Sequence, residues 1–221
     1  MIKACIFDLD GTLLDTLSTI TYYVNRTLQK EGFSPITEDE CRYFVGDGPY
    51  KLIQRSLASK GCTDEAVICD VLKKYRNNYD KAPQYLTAPF DGIPELLLEL
   101  SSRGILVGVV SNKQDEATVP TVRHFFGDKV TLARGSKAGV PLKPAPDAVY
   151  SMLDELGVKP EETVYVGDTG VDMQTGKAFS AARTIGVLWG FRPKEELIEN
   201  GADVIVTSPN EIIEEVRKCQ E

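Results

Sequence analysis

Asp8 and Asp10 stand two positions apart in FDLDGT, directly after the short apolar run Ala4–Phe7. Two carboxylates leaving a strand can face one crevice, where they could divide nucleophilic and acid–base work or share a cation. An Asx-type turn or a helix cap uses the same residues. Gly11-Thr12 follows, and such a pair allows backbone N–H groups to turn toward an anion, which makes Gly11 a candidate phosphate contact. Further acids occur in Gly167-Asp168-Thr169-Gly170-Val171-Asp172, with Asp172 one helical turn after Asp168 on the same face. A cap accounts for one acid near a helix N-terminus. The second exceeds what a cap requires.

Two other segments supply polar groups of the right kind. Ser111 and Asn112, ahead of Lys113, offer a hydroxyl and an amide that can hydrogen-bond phosphate oxygens, although both are ordinary helix N-caps. Lys143 precedes Pro144-Ala145-Pro146-Asp147, where the prolines stiffen the entry to a helix and fix where the lysine points. An isolated lysine is usually a solvated surface group. Taken together, Asp8, Asp10, Asp168 and Asp172 with Lys143 and Ser111 suit a hard, oxygen-ligated cation such as Mg²⁺ beside a bound phosphate, the lysine balancing negative charge.

The elements that must carry these residues can be read from the apolar runs. Ala4–Phe7, Ile105–Val110, Val130–Ala133, Thr163–Val166, Thr184–Leu188 and Val204–Val206 read as strands. Helical patterns at Pro94–Ser102, Glu116–Phe126, Ala145–Leu156 and Val171–Ala182 separate most of them. Strands alternating with helices predict a doubly wound α/β fold, a Rossmann-like parallel sheet covered on both faces. Residues 16–87 break the rhythm. There Leu17–Glu31, Thr37–Phe44, Tyr50–Lys60 and Asp64–Lys81 read as helices, with Asp15-Thr16 as the first N-cap and Gly32, Gly61 and Pro83 as stops. The expected organisation is a catalytic core of residues 1–15 and 88–221 with a helical cap inserted at 16–87. In such a sheet ligands bind at the carboxyl ends of strands, which is where each polar segment falls.

Composition removes several classes of function. Across 221 residues there are 33 Asp and Glu against 25 Lys and Arg, a net charge of −8, which argues against nucleic acid or an anionic membrane as the main partner. No apolar stretch is long enough to span a bilayer, and no h-region with a cleavage site follows the N-terminus. The five cysteines form no CxxC pair, so reduced thiols and a cytoplasmic location are expected. His124, the sole histidine, lies in VRHFFG and reads as a helix-end or packing residue. No GxGxxG follows the first strand, which argues against a dinucleotide-binding enzyme.

FDLDGTLLDT, VVSNK, KPAPD and VGDTGVDM, in this order and across the whole core, resemble the motifs of the haloacid dehalogenase superfamily of phosphohydrolases. The inserted segment is similar to the phosphoglycolate phosphatase-like branch through Asn25, Leu28 and Gly32, then Val45-Gly46-Asp47-Gly48 leading to Leu52 and Arg55. Replacement of the usual Ala-Gly by Ala181-Ala182 and a slightly long linker at Arg134–Leu142 are the departures. The resemblance implies a Mg²⁺-dependent phosphatase in which Asp8 is the nucleophile and forms an aspartyl-phosphate. It implies that Asp10 protonates the leaving alcohol and then deprotonates water, while Ser111 and Asn112 position the phosphoryl group and Lys143 neutralises it. Mg²⁺ would be held by Asp8, the backbone carbonyl of Asp10, and Asp168, with Asp172 in support. The insert would be a mobile cap, with Gly46, Gly48 and Arg55 as candidate substrate contacts.

The expected substrate is a small phosphate monoester, with 2-phosphoglycolate the branch-level choice and pyrophosphate, nucleotides and sugar phosphates as alternatives. A sugar-phosphate mutase would share the same core and phosphorylated aspartate. A receiver-type signalling domain also uses Asp, Mg²⁺ and Lys on a parallel sheet, but it is much shorter and lacks an inserted cap. A monomer is the default oligomeric state and a dimer the alternative.

Overall fold

Every residue of Ala4–Phe7 is buried, and its side chains alternate between two hydrophobic clusters, Cys5 and Phe7 in one, Ala4 and Ile6 in the other. A strand that is apolar on both faces belongs inside a parallel sheet covered on both sides. The structure, a computed structural model, describes residues 1–79, 82 and 84–219 and places this strand there. In chain order the elements begin with β1 (Ala4–Phe7), β2 (Leu14–Asp15), α1 (Leu17–Lys30), α2 (Glu38–Phe44), α3 (Gly48–Ala58) and α4 (Glu65–Tyr79). They continue with β3 (Ala88–Pro89), α5 (Ile93–Ser102), β4 (Leu106–Gln114), α6 (Asp115–Phe126), β5 (Leu132–Ser136) and α7 (Asp147–Leu156). The last are β6 (Thr163–Gly167), α8 (Gly170–Ala178), β7 (Arg183–Val187), α9 (Lys194–Glu199), β8 (Val204–Val206) and α10 (Pro209–Lys218).

The chain divides into two units, one of residues 1–15 with those from 89 onward and the other Thr16–Ala88. In the first, six parallel strands lie in the order β5-β4-β1-β6-β7-β8. The chain winds outward from β1 through β4 to β5, then crosses back to β6 on the other side of β1. This reversal makes β1 the switch point of a doubly wound sheet, as the alternation of elements predicted. One face packs against α5, α6 and α10 through Leu96, Leu97, Leu100, Val122, Phe126, Ile212 and Val216. The other packs against α7 and Phe179 through Val149, Met152 and Leu153.

The Thr16–Ala88 unit contains helices α1–α4. Val24 and Leu28 of α1, Ile53 and Leu57 of α3, and Ile68 and Val71 of α4 supply its buried apolar faces. Asn25 closes the turn after α1 by accepting from the Ile36 N–H and donating to the Ile36 carbonyl, both at 2.8 Å. Thr37 and Glu40 form a reciprocal capping box at the start of α2. Thr16 occupies the N-cap of α1, but its hydroxyl makes no cap bond and has no partner among the described residues. Among the described residues no helix is long and apolar enough to cross a membrane.

Several boundaries differ from the sequence reading, each for a local reason. β4 continues past Val110 to Gln114, because pairing with β5 shifts register there and resumes at Gln114 opposite Ser136. β5 starts at Leu132 rather than Val130, after a 3₁₀ turn at Gly127–Lys129. α7 starts at Asp147 rather than Ala145, since a residue preceding proline is pushed out of the helical region and Ala145 precedes Pro146. α8 ends at Ala178 rather than Ala182, with Ser180 in the left-handed region at φ 59°. α9 and α10 were not anticipated. The helix expected at Asp64–Lys81 is described as Glu65–Tyr79, and its last positions, with Pro83, lie outside the described residues.

α5 offers a direct test of this packing. Leu97 is wholly buried under the sheet, whereas its neighbour Leu98 is 59% exposed. Leu97→Ala is expected to lower stability by about 2–5 kcal/mol in urea unfolding, and Leu98→Ala by under about 0.5 kcal/mol. Equal effects of the two substitutions would contradict the orientation of the helix.

Candidate active site

Asp8 is the first residue beyond β1, and its N–H is tied to the Val166 carbonyl at 2.9 Å. Phe7 pairs with Val109 on one side and Val166 on the other, so the ends of β1, β4 and β6 advance together. Asp8, the Ser111 segment and Asp168 therefore emerge at one level of the sheet. Asp8, Asp168 and Asp172 are all buried and offer carboxylate oxygens within 4.8 Å of one another.

Lys143 joins two of these acids. Its ammonium donates to Asp8 Oδ1 at 2.7 Å and to Asp172 Oδ1 at 2.8 Å. The backbone of Lys143 is held in turn by Asn112, whose Oδ1 accepts from the Lys143 N–H at 2.8 Å and whose Nδ2 donates to its carbonyl at 3.2 Å. This reciprocal pair docks the Lys143 segment against β4. It revises the expectation that the Asn112 amide serves chiefly as a phosphate contact. Ser111 Oγ accepts weakly from the Lys113 N–H at 3.3 Å, and its own O–H has no acceptor among the described residues, so it is available to an incoming anion. Neither Ser111 nor Asn112 is a helix cap, since α6 starts only at Asp115.

Asp172 does two jobs with separate oxygens. Oδ2 accepts from Thr169 N at 3.0 Å and Thr169 Oγ1 at 2.6 Å, completing the cap of α8. Oδ1 accepts from Lys143, with the Tyr165 hydroxyl at 3.4 Å. Both oxygens are thus taken up, which suits Asp172 to holding Lys143 rather than to direct ligation. Asp168 is less committed: Oδ1 accepts from Thr12 Oγ1 and Oδ2 from the Phe191 N–H, each at 2.8 Å, leaving lone pairs on both. Asp8 Oδ2 and the Asp10 carbonyl take no hydrogen bond among the described residues. The Asp10 side chain pairs with Lys113 at 2.9 Å.

Gly11 plays a different part from the one expected. Its N–H donates to the Leu14 carbonyl at 2.8 Å and so is not turned toward an anion. The residue sits at φ 89°, and a Cβ there would lie 2.3 Å from Asp168 Oδ2. Glycine is required for the loop to pass this close to a carboxylate. In the helical unit, Gly46 and Gly48 adopt positive φ on either side of Asp47. Arg55 donates to the Phe44 carbonyl at 2.9 Å and pairs with Asp47 at 2.6 Å, so it braces the loop it was expected to accompany as a substrate contact.

Thr12, Lys113, Tyr165, Thr169 and Phe191 belong to this network and were not singled out as site residues. Lys113 and Thr12 lie inside quoted motifs, and Trp189-Gly190-Phe191 follows a strand, so the strand-end rule reaches them. Tyr165 reads only as strand core, and nothing in its neighbours signals its hydroxyl contact.

Burial pushes the Asp8 carboxyl up to about 7, with Asp172 and Asp10 adding to the rise and Lys143 opposing it. Burial, then Asp172 and Asp8, hold Asp168 well above the usual carboxylate range. For Lys143 burial alone would favour the neutral amine, but Asp172 and Asp8 override it and raise the ammonium above its ordinary value. The cluster thus holds three carboxylates against one ammonium, while Asp10 and Lys113 balance each other. A divalent cation has the charge that neutralises this difference, and the carboxylates of Asp8 and Asp168 are hard oxygen donors of the kind it needs. The direction with pH follows from the raised values. Without a cation, folded Asp8 and Asp168 retain protons that the unfolded chain gives up near pH 4, so the contribution of Asp8 to stability falls as pH rises toward about 7 and that of Asp168 changes in the same direction. A cation entering the site must displace those protons.

A family model for haloacid dehalogenase-like hydrolases matches residues 5–187. The chain is 27% identical to the N-acetylmuramic acid 6-phosphate phosphatase of Pseudomonas aeruginosa, over 96% of this chain and 94% of that one. It is 28% identical to the phosphoglycolate phosphatase of Aquifex aeolicus, over 96% and 99% of the two chains. Among solved structures, a Lactobacillus delbrueckii subsp. bulgaricus protein provisionally named phosphoglycolate phosphatase superposes with a TM-score of 0.92 at 32% identity, covering 97% of this chain and 98% of that one. With a family match spanning most of its length and all four motif segments converging at the end of β1, this chain belongs to the haloacid dehalogenase-like hydrolase family.

Proposed function

We propose that this hydrolase is a Mg²⁺-dependent phosphatase of small phosphate monoesters, acting through a phosphorylated Asp8, with 2-phosphoglycolate as its substrate. The observation that carries this reading is the buried carboxylate cluster around Asp8 with Lys143 as its single ammonium. The phosphatases among its relatives support it, and their names divide between phosphoglycolate and an amino-sugar phosphate. The inserted helical unit is the proposed selector of the organic part of the ester. Gly46 and Gly48 shape a loop in it that Arg55 braces.

In the proposed reaction an Asp8 carboxylate oxygen attacks phosphorus, and the bond from phosphorus to the alcohol oxygen breaks. Lys143 fixes the direction of the Asp8 carboxylate and offsets part of its repulsion against the phosphoryl dianion. The Ser111 hydroxyl donates to a phosphoryl oxygen. Asp10 delivers a proton to the departing alcohol, then removes one from the water that attacks the aspartyl-phosphate, releasing phosphate and restoring Asp8. Lys113 pairs with Asp10 at 2.9 Å and holds its carboxyl in place. Asp8, the Asp10 carbonyl and Asp168 would hold Mg²⁺, whose charge would offset that of the phosphoryl group.

Asp8→Asn is expected to fold and lose nearly all turnover; activity near wild type would sink the mechanism. Asp10→Asn is expected to slow alkyl phosphate hydrolysis by roughly 10²–10⁴-fold and p-nitrophenyl phosphate hydrolysis far less. Equal losses on both would contradict the acid role. A panel of phosphate esters ranked by kcat/KM is expected to place 2-phosphoglycolate first. A higher rank for N-acetylmuramic acid 6-phosphate would reassign the substrate, and interconversion of β-glucose 1-phosphate without net phosphate release would replace hydrolysis by a mutase reaction.

A further inference from the structure

Asp168 is fully buried, and each of its oxygens is held by a single donor. Both restraints lead to the segment that follows β7. The Phe191 N–H holds Oδ2 directly at 2.8 Å. Thr12 Oγ1 holds Oδ1 at 2.8 Å, and the Thr12 carbonyl accepts in turn from the Trp189 indole N–H at 3.0 Å. Between these two residues, Gly190 passes so close that a Cβ would lie 2.2 Å from Asp168 Cβ, 2.5 Å from its Oδ2 and 2.5 Å from the Gly11 carbonyl. Gly11 also passes close to the same carboxylate, where a Cβ would meet Asp168 Oδ2 at 2.3 Å and the Phe191 ring at 2.8 Å. A side chain at either glycine would displace the carboxylate.

We propose that Trp189-Gly190-Phe191 is a positioning segment that sets the metal affinity of the site by fixing the direction of the Asp168 carboxylate. The inference rests on the reading of Asp8, Asp168 and the Asp10 carbonyl as a Mg²⁺ centre. Groups behind a ligand orient its lone pairs, and their loss typically weakens metal binding about 10–100-fold. Gly190 supplies the close approach, the Phe191 N–H the direct restraint, and the Trp189 indole the anchor for Thr12.

Mg²⁺ titration of the full-length protein by calorimetry, without substrate, tests this. Gly190→Ala, which forces Asp168 aside, is expected to raise the Kd for Mg²⁺ roughly 10–100-fold. Trp189→Phe keeps an aromatic side chain but lacks the indole N–H and part of the ring, and is expected to raise Kd several-fold in a protein that still unfolds cooperatively in EDTA. If Gly190→Ala does not fold, Trp189→Phe alone decides. Wild-type affinity in the folded variants would overturn the role of the segment and leave the metal centre standing. A wild-type protein that binds no Mg²⁺ would overturn the metal centre and the positioning role together.

Discussion

Three carboxylates brought together in a buried site repel one another, and a single ammonium cannot neutralise them. Around Asp8 the fold imposes this arrangement, with Asp168 and Asp172 beside it and Lys143 between Asp8 and Asp172. Burial is the largest cause of the rise in the Asp8 and Asp168 carboxyls, and repulsion from the neighbouring acids adds to it. A site built only for stability would pair its acids or replace them with apolar side chains. Here the imbalance is held open by rigid neighbours, which is how a fold prepares a place for a cation and an anionic substrate.

The rest of the core serves to keep that imbalance in place. β1 sits at the switch point of the sheet, so the segments leaving β4 and β6 flank Asp8 on both sides. Asn112 fastens the Lys143 backbone to β4, and the α8 cap fixes one oxygen of Asp172 so that the other can face Lys143. Glycines at 11, 167 and 190 let backbone approach carboxylates at distances no side chain would allow; a Cβ at Gly167 would stand 2.2 Å from Asp172 Cβ. The organisation is one of carboxylates held by neighbouring donors, with Asp8 Oδ2 left without a hydrogen bond among the described residues.

Much of this is legible in the sequence because strand ends are. The apolar run before Asp8, the polar segments after later runs and the prolines beyond Lys143 all mark positions at one edge of a parallel sheet. What could not be read is which atom of each residue faces which partner. Asn112 meets Lys143 across 31 residues, Thr12 meets Asp168 across 156, and Trp189 meets Thr12 across 177. Local pattern carries no information about such pairs, so Gly11 and Asn112 were read as anion contacts when their nearest duties are to the loop and to Lys143. Asp172 reads as either a cap or a site residue; it caps α8 through Oδ2 and accepts from Lys143 through Oδ1. The same limit explains α8, where periodicity runs on to Ala182 but Ser180 in the left-handed region ends the helix at Ala178.

The central claim is that a divalent cation completes the charge of this cluster, and proton linkage tests it most directly. Burial leaves Asp8 holding its proton below about pH 7 and raises the Asp168 carboxyl as well, so a cation bound there must displace protons. Calorimetric titration with Mg²⁺ at about pH 6, repeated in buffers of different ionisation enthalpy, counts the protons released. The account predicts measurable proton release at about pH 6, to which Asp8 contributes less as the pH rises above about 7. Binding with no proton release at the lower pH, or no binding at either, would contradict it.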